Sequence, residues 1–473
     1  MPAYGSATMK HSFDPSILRA YDIRGQVDKT LFAADAYAIG RAFGTLARRR
    51  LGGKPHIAVG RDGRLTSPTL AAQLIEGLAA SGCHVADLGV GPTPMTYFAV
   101  ASHELDGGLM ITGSHNPIDY NGFKMLLGGM PFYGDDIREL GRIAAEGDLE
   151  SGEGDVSKLD VLQEYATCVA EAYEAEIDVP LTVAWDCGNG AAGDALNLVL
   201  KALPGTHHVL FDEIDGSFPN HHPDPTVPAN LEDVKRLVVE RGCDMGIAFD
   251  GDGDRCGLID DEGEVIWADQ YLIFLAEEVL QSLPGATIIA DVKASQTLFD
   301  RVAAAGGEAL MWRTGHSLIK VKMKETKSPL AGEMSGHVFF ADKYFGYDDG
   351  LYTAVRIMNH VAQTGLKLSD FRKSLPKLLN TPELRFDCPE AQKQPVMAHV
   401  QAKVADGSLG RVIDVDGVRC VSEEGWWLLR PSNTESVLVG RVEARDTQAL
   451  ERLKARLFDL IAAAGLNPEP QGH

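Results

Sequence analysis

Residues 245–259 read MGIAFDGDGDRCGLI: a short apolar run, an acidic loop and a second apolar run. Both apolar flanks have the composition of buried strands, so the stretch predicts a strand, a tight loop and another strand. In the loop, Asp250, Asp252 and Asp254 alternate with glycines, which let the chain bend closely enough for three carboxylates to converge. Carboxylate oxygens are hard ligands that suit Mg²⁺ or Ca²⁺, and we therefore expect a divalent-metal site here.

Two other interpretations of the acidic loop have to be weighed. An EF-hand loop beginning at Asp250 would need glycine at its sixth position and usually glutamate at its twelfth, whereas the chain has Arg255 and Asp261 there. Its flanks would also be amphipathic helices rather than short apolar runs. An ordinary acidic turn stays open as an alternative, because Asp and Gly also dominate turns without a ligand.

Length, charge and cysteine content limit the class of protein. A chain of 473 residues is too long for one core and predicts about three or four domains. Its 67 acidic against 44 basic residues give a net charge of −23, which argues against nucleic acid or an anionic membrane as the main partner. No run approaches ~18 apolar residues, the N-terminus lacks a secretory layout, and the seven cysteines form no C-x-x-C pair. We expect a cytoplasmic protein with free thiols, among which Cys256 is a small core residue.

Short β-branched runs alternate with helical stretches between residues 56 and about 375, the pattern of parallel sheets covered by helices. They form three blocks, with predicted elements at residues 56–59, 70–80, 85–90 and 109–112, at 181–185, 191–203, 209–211, 231–241 and 245–249, and at 268–283, 287–290, 298–305 and 351–361. Beyond residue 376, a helix near 391–404, a strand-rich stretch over 411–442 and a closing helix over 448–463 predict a smaller α+β domain.

Ser114 follows the apolar run at residues 109–111, so it is expected on a turn between a strand and a loop. In open α/β sheets ligands bind beyond the carboxyl ends of strands, and this turn should face the same cleft as the acidic loop. A serine hydroxyl is a poor nucleophile on its own, but His115 beside it or the acidic loop could supply a base or a metal. A helix cap is the alternative role for Ser114.

Two further loops carry polar side chains suited to a sugar phosphate. Residues 332–337 place an acid, a hydroxyl and an imidazole in one glycine-bracketed loop, which fits several sugar hydroxyls at once. Residues 430–434 offer a guanidinium with small hydroxyl and amide donors to an anion such as phosphate. A satisfied polar turn and a surface turn, respectively, are the alternatives.

Several conspicuous residues are expected to have no ligand role. The arginines of residues 60–64 lie in a glycine-rich turn, where most arginines are solvated. His221 and His222 are adjacent, and adjacent side chains seldom converge on one ion. Trp426 and Trp427 are expected in the core of a sheet and its neighbouring packing, with a sugar platform as the alternative.

Four segments occur in a fixed order along the chain, namely TGSHNP at 112–117, DGDGDR at 250–255, GEMSGH at 332–337 and RPSNTE at 430–435. Together they resemble the four signature loops of the α-D-phosphohexomutase superfamily, and the resemblance covers nearly the whole chain. Segments at 19–25, 121–124, 291–293 and 314–316 agree with it. The GEMSGH form is most similar to bacterial phosphomannomutase/phosphoglucomutase, whereas glucosamine-phosphate mutases tend to carry Gln in place of Met334.

The resemblance implies an α/β fold of four domains around a central cleft. Three similar α/β domains with mixed sheets covered by helices would be followed by a smaller C-terminal α+β domain. Their expected bounds and loops are 1–163 with the phosphoserine loop, 164–264 with the metal-binding loop, 265–376 with the sugar-binding loop and 377–473 with the phosphate-binding loop.

The resemblance also implies roles for particular residues. Ser114 would carry a phosphoryl group and, with Asp250, Asp252 and Asp254, hold Mg²⁺. The other catalytic residues would be Arg24, His115, Lys124, Arg255 and His316, with His316 and Lys124 both candidates for the general base. The expected substrate-binding residues are Tyr21, Lys293, His316, Glu333, Ser335 and His337 for the sugar, and Arg430, Ser432, Asn433 and Thr434 for the distal phosphate.

The implied activity is the reversible interconversion of a hexose 1-phosphate and the hexose 6-phosphate, with mannose or glucose as the hexose. It would pass through a hexose 1,6-bisphosphate that turns around in the cleft and also serves as activator. The expected partners are small hexose phosphates, with no nucleic acid or membrane, and the oligomeric state stays open. A phosphoglucosamine mutase, a serine-dependent sugar phosphatase and a non-catalytic sugar-phosphate sensor are the alternatives.

Overall fold

Four β-sheets follow one another along the chain in the computed structural model, which describes residues 10–175, 180–432 and 436–471. We refer to the units built on them as domains 1 to 4. The strands of domain 1 are β1 (Ile23–Gln26), β2 (His56–Arg61), β3 (His84–Val90), β4 (Gly107–Ile111), β5 (Tyr120–Leu127), β6 (Met130–Pro131) and β7 (Val156–Lys158). Its helices are α1 (Ala33–Leu51), α2 (Ser67–Ala80), α3 (Thr93–Ser102) and α4 (Asp135–Glu146), after a 3₁₀ turn at Pro15–Ile17. The sheet order is β1-β5-β4-β2-β3-β7, with β6 on β5.

Domain 2 follows the linking helix α5 (Leu162–Ala170). It contains β8 (Thr182–Asp186), α6 (Gly193–Ala202), β9 (Thr206–Leu210), a 3₁₀ turn (Pro228–Leu231), α7 (Glu232–Arg241), β10 (Met245–Phe249), β11 (Cys256–Ile259) and β12 (Val265–Ile266). The strand order is β12-β11-β10-β8-β9. The pairs of β8 with β9 and β10 are parallel, whereas β11 is antiparallel to β10.

Domain 3 has the smallest of the three mixed sheets. Its elements are α8 (Ala268–Ser282), β13 (Thr287–Asp291), α9 (Gln296–Ala304), β14 (Glu308–Trp312), α10 (His316–Thr326), β15 (Leu330–Gly332), β16 (Val338–Phe340), α11 (Gly350–Thr364) and α12 (Leu368–Ser374). In the order β14-β13-β15-β16, the first two pairs are parallel and the last is antiparallel.

Domain 4 is antiparallel throughout its described strands. It contains β17 (Leu379–Asn380), β18 (Leu384–Asp387), α13 (Glu390–Val404), β19 (Arg411–Ile413), β20 (Val418–Ser422), β21 (Gly425–Pro431), β22 (Val437–Ala444) and α14 (Thr447–Ala463). The order is β17-β22-β21-β20-β19, and β18 also pairs with β22. The observed architecture therefore confirms the predicted fold class of three mixed α/β domains followed by a smaller α+β domain.

The three α/β domains share one arrangement of strands. In each, the last parallel strand is followed by a loop and an antiparallel neighbour, as in β4–β5, β10–β11 and β15–β16. Every residue of β4, β10 and β15 is buried, which explains their unbroken apolar sequences. The loops that carry Ser114, the three aspartates and Glu333 therefore occupy equivalent positions in three successive sheets.

Close helix packing in domain 1 depends on two glycines. A Cβ atom on Gly40 of α1 would lie 2.3 Å from the carbonyl oxygen of Leu74, and one on Gly77 of α2 would lie 2.3 Å from that of Tyr37. Only glycine allows the two backbones to approach this closely. No helix among residues 10–175, 180–432 and 436–471 is long and apolar enough to cross a membrane.

The two adjacent tryptophans of β21 pack on opposite faces of the domain 4 sheet. Trp427 is fully buried in the domain 4 core, whereas Trp426 contacts domain 3 through Val292. The guanidinium carbon of Arg419 lies 3.8 Å from the ring centre of Trp426, and the guanidinium donates to the carbonyls of Val292 and Ala294, each at 2.7 Å. The two indoles thus have the predicted packing role.

Trp427→Ala should lower the free energy of unfolding by about 3–5 kcal/mol, because a fully buried indole would leave a cavity. The loss is measured by denaturant titration followed by far-UV circular dichroism. Trp267→Ala is the control: its indole is 38% exposed, and the substitution should cost under about 1 kcal/mol. Equal losses in the two variants would contradict the assignment of Trp427 to the core.

Candidate active site

The loop after β4 holds Ser114 in an unusual backbone conformation. Ser114 has a φ of 47°, in the left-handed region that residues other than glycine seldom adopt, and its side chain is buried. Its amide donates to Oγ1 of Thr112 at 2.8 Å. Backbone strain of this kind persists only where the surroundings enforce it, and it is concentrated at functional sites.

The side chain of Arg64 stabilises this conformation of the loop. Its guanidinium is almost fully buried and donates to the carbonyl oxygens of Ser114, Asn116, Pro117 and Tyr120, at 2.6 to 3.0 Å. The other anchor is Asp62, whose carboxylate accepts the amide of Gly113 at 3.0 Å. The expectation of solvated arginines in residues 60–64 was therefore wrong for Arg64, because the carbonyls of a tightly turned loop need buried donors.

The hydroxyl of Ser114 points at the acidic loop of domain 2. Its Oγ donates to Oδ2 of Asp250 at 2.8 Å and lies 3.1 Å from Nδ1 of His115. Burial, together with Arg255 and Arg24, lowers the pKa of His115 well below its ordinary value, so the imidazole beside Ser114 is neutral. The structure thus joins two sequence segments that are 136 residues apart.

Asp250, Asp252 and Asp254 converge as the sequence predicted. Each offers one carboxylate oxygen, the three oxygens lie within 4.8 Å of one another, and all three side chains are fully buried. A Cβ on Gly251 would lie 2.5 Å from the carbonyl of Ser114, and Gly253 has a φ of 71°, so both glycines are needed for this turn.

Lys124 partly neutralises this cluster. Its ammonium donates to Oδ2 of Asp252 at 2.7 Å and to Oδ2 of Asp254. Burial opposes the charged ammonium, but the aspartates outweigh it and raise the pKa of Lys124. The same contact holds the pKa of Asp252 well below its ordinary value although burial alone would raise it.

Two cations, Lys124 on Asp252 and Asp254 and Arg255 at 3.9 Å from Asp250, do not balance three buried carboxylates. Oδ1 of Asp252 and Oδ1 of Asp254 are buried and have no hydrogen-bond partner within the described chain. Three oxygen donors, unpaired lone pairs and a deficit of positive charge fit a hard divalent metal ion. The donor set therefore supports a divalent-metal site made by Asp250, Asp252 and Asp254, with the oxygen of Ser114 adjacent.

Two other predicted catalytic residues lie around this cluster. Arg24 donates to Oδ2 of Asp22 at 2.5 Å and to Oδ1 of Asn116 in the Ser114 loop. The backbone amide of Arg255 donates to Oδ1 of Asp250 at 3.2 Å, and its Nε donates to Nε2 of His337 at 2.9 Å. His337 thereby links the acidic loop of domain 2 to the GEMSGH loop of domain 3.

The residues predicted to bind the sugar belong to domain 3, except Tyr21 of domain 1. Oε1 of Glu333 accepts the amide of Gly315 at 2.7 Å, and Ser335 is half-buried beside it in sequence. The ring of His316, at the start of α10, lies 6.3 Å from that of Tyr21. Tyr21 donates to the carbonyl of Thr314 at 2.8 Å, which joins domain 1 to domain 3.

The domain 4 loop is connected to domain 3 through Asp416. Nε of Arg430 donates to Oδ2 of Asp416 at 2.8 Å, and the same oxygen accepts the amide of Thr314 at 3.1 Å. The carbonyl of Ser432 accepts from Lys393 at 2.8 Å, and Nζ of Lys293 donates to Oε2 of Glu383 at 3.4 Å. The predicted residues Asn433 and Thr434 lie outside the described residues.

Comparison with known proteins finds family models that together cover almost the whole chain. Models of the phosphoglucomutase/phosphomannomutase family match domain by domain: α/β/α domain I at residues 15–151, domain II at 163–263, domain III at 267–379 and the C-terminal domain at 383–460. The chain belongs to the phosphoglucomutase/phosphomannomutase family. It is an enzyme, a hexose-phosphate mutase that works by phosphotransfer, and the resemblance to the phosphohexomutase superfamily is confirmed.

Individual relatives span the same length. A phosphomannomutase/phosphoglucomutase of Pseudomonas putida is 44% identical over 456 residues, which cover 96% of each chain. A phosphoglucomutase of Neisseria gonorrhoeae is 41% identical over 453 residues, 95% of this chain and 97% of the relative. A crystal structure of a family protein from Burkholderia thailandensis superposes with a TM-score of 0.89 at 42% identity, covering 96% of this chain and 98% of that one.

Other conspicuous residues have structural roles in this mutase, as expected. His221 lies 3.0 Å from Oδ2 of Asp186, whereas Nε2 of His222 lies 2.5 Å from the carbonyl of His115, so the two imidazoles face different partners. Burial raises the pKa of the Cys256 thiol to about 12, which suits a core residue and not a nucleophile.

Sequence reasoning missed several side chains that hold the site together. Asp348, Glu383 and Asp416 contact predicted site residues, and Lys320 pairs with Asp348. All four lie outside the four signature loops. The one available signal was Asp348 and Asp349 standing together between an aromatic stretch and a helix. The spacing of Asp348 and Asp349 from the signature loops does not show which side chains they would contact.

Arg64→Met should lower the free energy of unfolding by about 3–5 kcal/mol, because it leaves Asp62 and four loop carbonyls without their buried donor. The expected loss is measured by denaturant titration, and hydrogen exchange should increase over residues 112–121. The control is Arg61→Met in the same motif, since Arg61 is half-buried and pairs with Asp87 at 3.2 Å. Unchanged hydrogen exchange over residues 112–121 in Arg64→Met would contradict the conclusion that Arg64 holds this loop.

Proposed function

We propose that the enzyme transfers a phosphoryl group between O1 and O6 of a hexose by way of phospho-Ser114. The observation that carries the proposal is the position of the Ser114 hydroxyl, 2.8 Å from Asp250 in a buried carboxylate cluster. A nucleophile at this place lies beside the metal site, several cations and a neutral imidazole. Phosphoryl transfer depends mainly on such positioning and on electrostatic stabilisation.

We propose Mg²⁺ as the metal, held by Asp250, Asp252, Asp254 and an oxygen on Ser114. Mg²⁺ prefers oxygen ligands and commonly bridges protein carboxylates and phosphate, where it offsets charge on the transferring oxygens. The buried oxygens without partners support this ligand set. Arg255 and Lys124 would supply further positive charge around the phosphoryl group.

The reaction then consists of two phosphoryl transfers in opposite directions. In the first, the bond from Oγ of phospho-Ser114 to phosphorus breaks while the oxygen of the free sugar hydroxyl bonds to that phosphorus. The hydroxyl proton passes to a base, and the freed Oγ of Ser114 takes up a proton. The product is a hexose 1,6-bisphosphate. After the bisphosphate turns around in the cleft, Oγ of Ser114 bonds to its other phosphorus and gives up its proton, while the bond from that phosphorus to the sugar oxygen breaks and the sugar oxygen takes up a proton.

His316 is the better placed of the two candidates for the base. Its Nδ1 has no hydrogen-bond partner among the described residues, and burial lowers its pKa well below the ordinary value, which keeps the imidazole neutral. Lys124, in contrast, has its ammonium on two aspartates and is occupied in neutralising charge. We therefore assign Lys124 and Arg24 to charge stabilisation around Ser114.

The domain 3 and domain 4 residues would hold the sugar phosphate while it reacts. Glu333 and Ser335 would bind sugar hydroxyls, with Lys293 and Tyr21 beside them. Arg430, Ser432, Asn433 and Thr434 would bind the phosphate distant from the reaction and must accept either end of the sugar in turn. The link from Arg430 through Asp416 to the amide of Thr314 supports one continuous site across domains 3 and 4.

We propose mannose and glucose phosphates as substrates, since the relatives are named phosphomannomutase/phosphoglucomutase and phosphoglucomutase. Hexose 1,6-bisphosphate would be the activator, because it regenerates phospho-Ser114. A phosphoglucosamine mutase is not better supported, and Met334 stands where such enzymes tend to carry Gln. A cytoplasmic location is supported by seven free cysteines.

The activity is tested with mannose 1-phosphate and glucose 1-phosphate separately, in Mg²⁺ and a trace of hexose 1,6-bisphosphate, by recording hexose 6-phosphate and free phosphate. Formation of 6-phosphate from both sugars is the expected result. Free phosphate without 6-phosphate would mean that water reaches the phosphoserine and would establish a phosphatase instead.

Ser114→Ala should abolish phosphoenzyme formation and lower kcat by roughly 10³-fold or more, because the residue that carries the phosphoryl group is gone. Phosphoenzyme is measured by intact-mass spectrometry after treatment with hexose 1,6-bisphosphate. Ser335→Ala is the matched control and should still form phosphoenzyme. Normal turnover by Ser114→Ala would remove Ser114 from the nucleophile role.

Asp252→Asn should raise the Mg²⁺ concentration needed for half-maximal activity by ~10-fold or more, since one ligand charge is lost. The measurement is turnover against Mg²⁺ concentration, with metal binding followed by calorimetry. Asp186→Asn is the control, because Asp186 is a fully buried carboxylate that pairs with His221 outside the cluster. An unchanged Mg²⁺ requirement would contradict the ligand assignment.

A further inference from the structure

Four consecutive carbonyls of the loop at residues 114–117 accept from side-chain donors. Arg64 donates to three of these carbonyls, at 2.6 to 2.8 Å. The fourth carbonyl, that of His115, lies 2.5 Å from Nε2 of His222 in domain 2. Because a carbonyl oxygen can only accept, Nε2 of His222 carries a proton and donates it. An arginine of domain 1 and a histidine of domain 2 therefore hold this loop together.

His222 belongs to a segment of domain 2, residues 218–223, that also contacts the acidic loop. A Cβ atom on Gly251 of the acidic loop would lie 3.3 Å from Cγ of Pro223 and 2.5 Å from the carbonyl oxygen of Ser114. A Cβ on Gly188 would lie 2.9 Å from Cβ of Pro223. The 218–223 segment is therefore packed beside both the Ser114 loop and the acidic loop.

Phe218, at the start of this segment, contacts the other support of the Ser114 loop. Its ring centre lies 5.3 Å from the guanidinium carbon of Arg64, within the range of a cation–π contact. Phe218 has a φ of 47°, in the left-handed region, where a residue other than glycine stays only if its surroundings enforce it. The segment is thus held in one conformation against domain 1.

His221 fixes the backbone of His222 from the opposite side. Nε2 of His221 lies 3.0 Å from Oδ2 of the fully buried Asp186, and its Nδ1 lies 3.1 Å from the carbonyl oxygen of His222. A carboxylate and a carbonyl both accept, so both ring nitrogens carry protons and the imidazole is charged. Burial opposes this charge, but the hydrogen bond and charge of Asp186, together with the charge of Asp233, outweigh burial and raise the pKa of His221.

The carbonyl that His222 holds belongs to the residue beside the Ser114 hydroxyl. Nδ1 of His115 lies 3.1 Å from Oγ of Ser114, and Oγ donates to Asp250 at 2.8 Å. Ser114 has a strained φ of 47°, so its loop needs support from outside. A donor to the carbonyl of His115 supplies that support from the domain that carries the acidic loop.

We propose that His222 is a positioning residue that orients Ser114 and His115 toward the acidic loop, with His221 holding His222 in place. This inference rests on the proposed function, since it takes Ser114 as the residue that carries the phosphoryl group. It gives the two adjacent histidines a role in phosphoryl transfer although neither contacts the metal site as a ligand. The domain 2 loops then fix both the carboxylates and the serine that faces them.

Two variants of similar size separate the hydrogen bond of His222 from its bulk. His222→Met removes the donor and should slow phosphoryl transfer from hexose 1,6-bisphosphate to Ser114 by ~10-fold or more. His222→Gln keeps an N–H at the distance of Nε2 and should stay within ~3-fold of wild type. The rate is measured by rapid quenching and intact-mass spectrometry. Equal rates in the two variants would overturn the proposal.

The substrate affinity and a second histidine serve as controls. KM for the hexose phosphate should change by less than ~3-fold in His222→Met, because His222 acts on Ser114 and not on the residues proposed to bind the sugar phosphate. His103→Met is the matched control, since Nε2 of His103 lies 3.0 Å from Oε2 of Glu164 at the surface. It should keep the wild-type rate, and a loss equal to that of His222→Met would reject the positioning role.

Hydrogen exchange tests the same contact without turnover. In unphosphorylated enzyme, amide exchange over residues 112–117 should increase in His222→Met and stay at the wild-type level in His222→Gln, with thermal unfolding confirming that both variants are folded. Unchanged exchange in His222→Met would refute the positioning role even if the wild-type enzyme is an active mutase. Wild-type turnover, measured first, tests the proposed function separately.

A spectroscopic measurement on the wild-type protein needs no variant to be stable. In enzyme labelled with ¹⁵N-histidine, His222 should carry a slowly exchanging proton on Nε2, and His221 should carry protons on both ring nitrogens at neutral pH. The two sets of signals are assigned by their loss in His222→Gln and His221→Gln. An unprotonated Nε2 on His222, or a neutral His221, would overturn the proposal.

Discussion

Three buried carboxylates at one loop are the constraint on which the rest of this site depends. Asp250, Asp252 and Asp254 lie within 4.8 Å of one another, where like charges without solvent repel strongly. Burial, together with the other two aspartates, raises the pKa of Asp250 well above its ordinary value. The cluster is tolerable only because cations and hydrogen-bond donors from other domains converge on it.

The need to stabilise three buried carboxylates links the domains to one another. Domain 1 contributes Lys124 to the carboxylates and the Ser114 hydroxyl to Asp250. Domain 3 contributes His337, which accepts from Arg255 beside the cluster. The repeated topology makes this possible, because the loops after β4, β10 and β15 occupy the same place in three similar sheets. A single sheet could offer only one such loop to a ligand.

Much of the fold followed from local pattern. The buried strands β4 and β10 were predicted because their residues are apolar without interruption, and α7 and α14 because apolar residues recur at helical spacing. Helix α1 and strand β5 were not predicted. The small residues and charges of α1 weaken its periodicity, and β5 contains glycine, asparagine and lysine at positions that serve the site.

The sequence by itself determined the chemical make-up of the loops: an acidic turn with oxygen ligands, a serine after a strand, and polar loops rich in hydrogen-bond donors and acceptors. Local composition suffices for that, because ligand type and turn geometry are properties of adjacent residues. Only the tertiary structure decided that the buried Arg64 holds the Ser114 loop and that Lys124 pairs with Asp252. It also decided that Asp348 lies next to His337. Those contacts join residues far apart in the chain, and each partner depends on how separate sheets pack rather than on any spacing in the sequence.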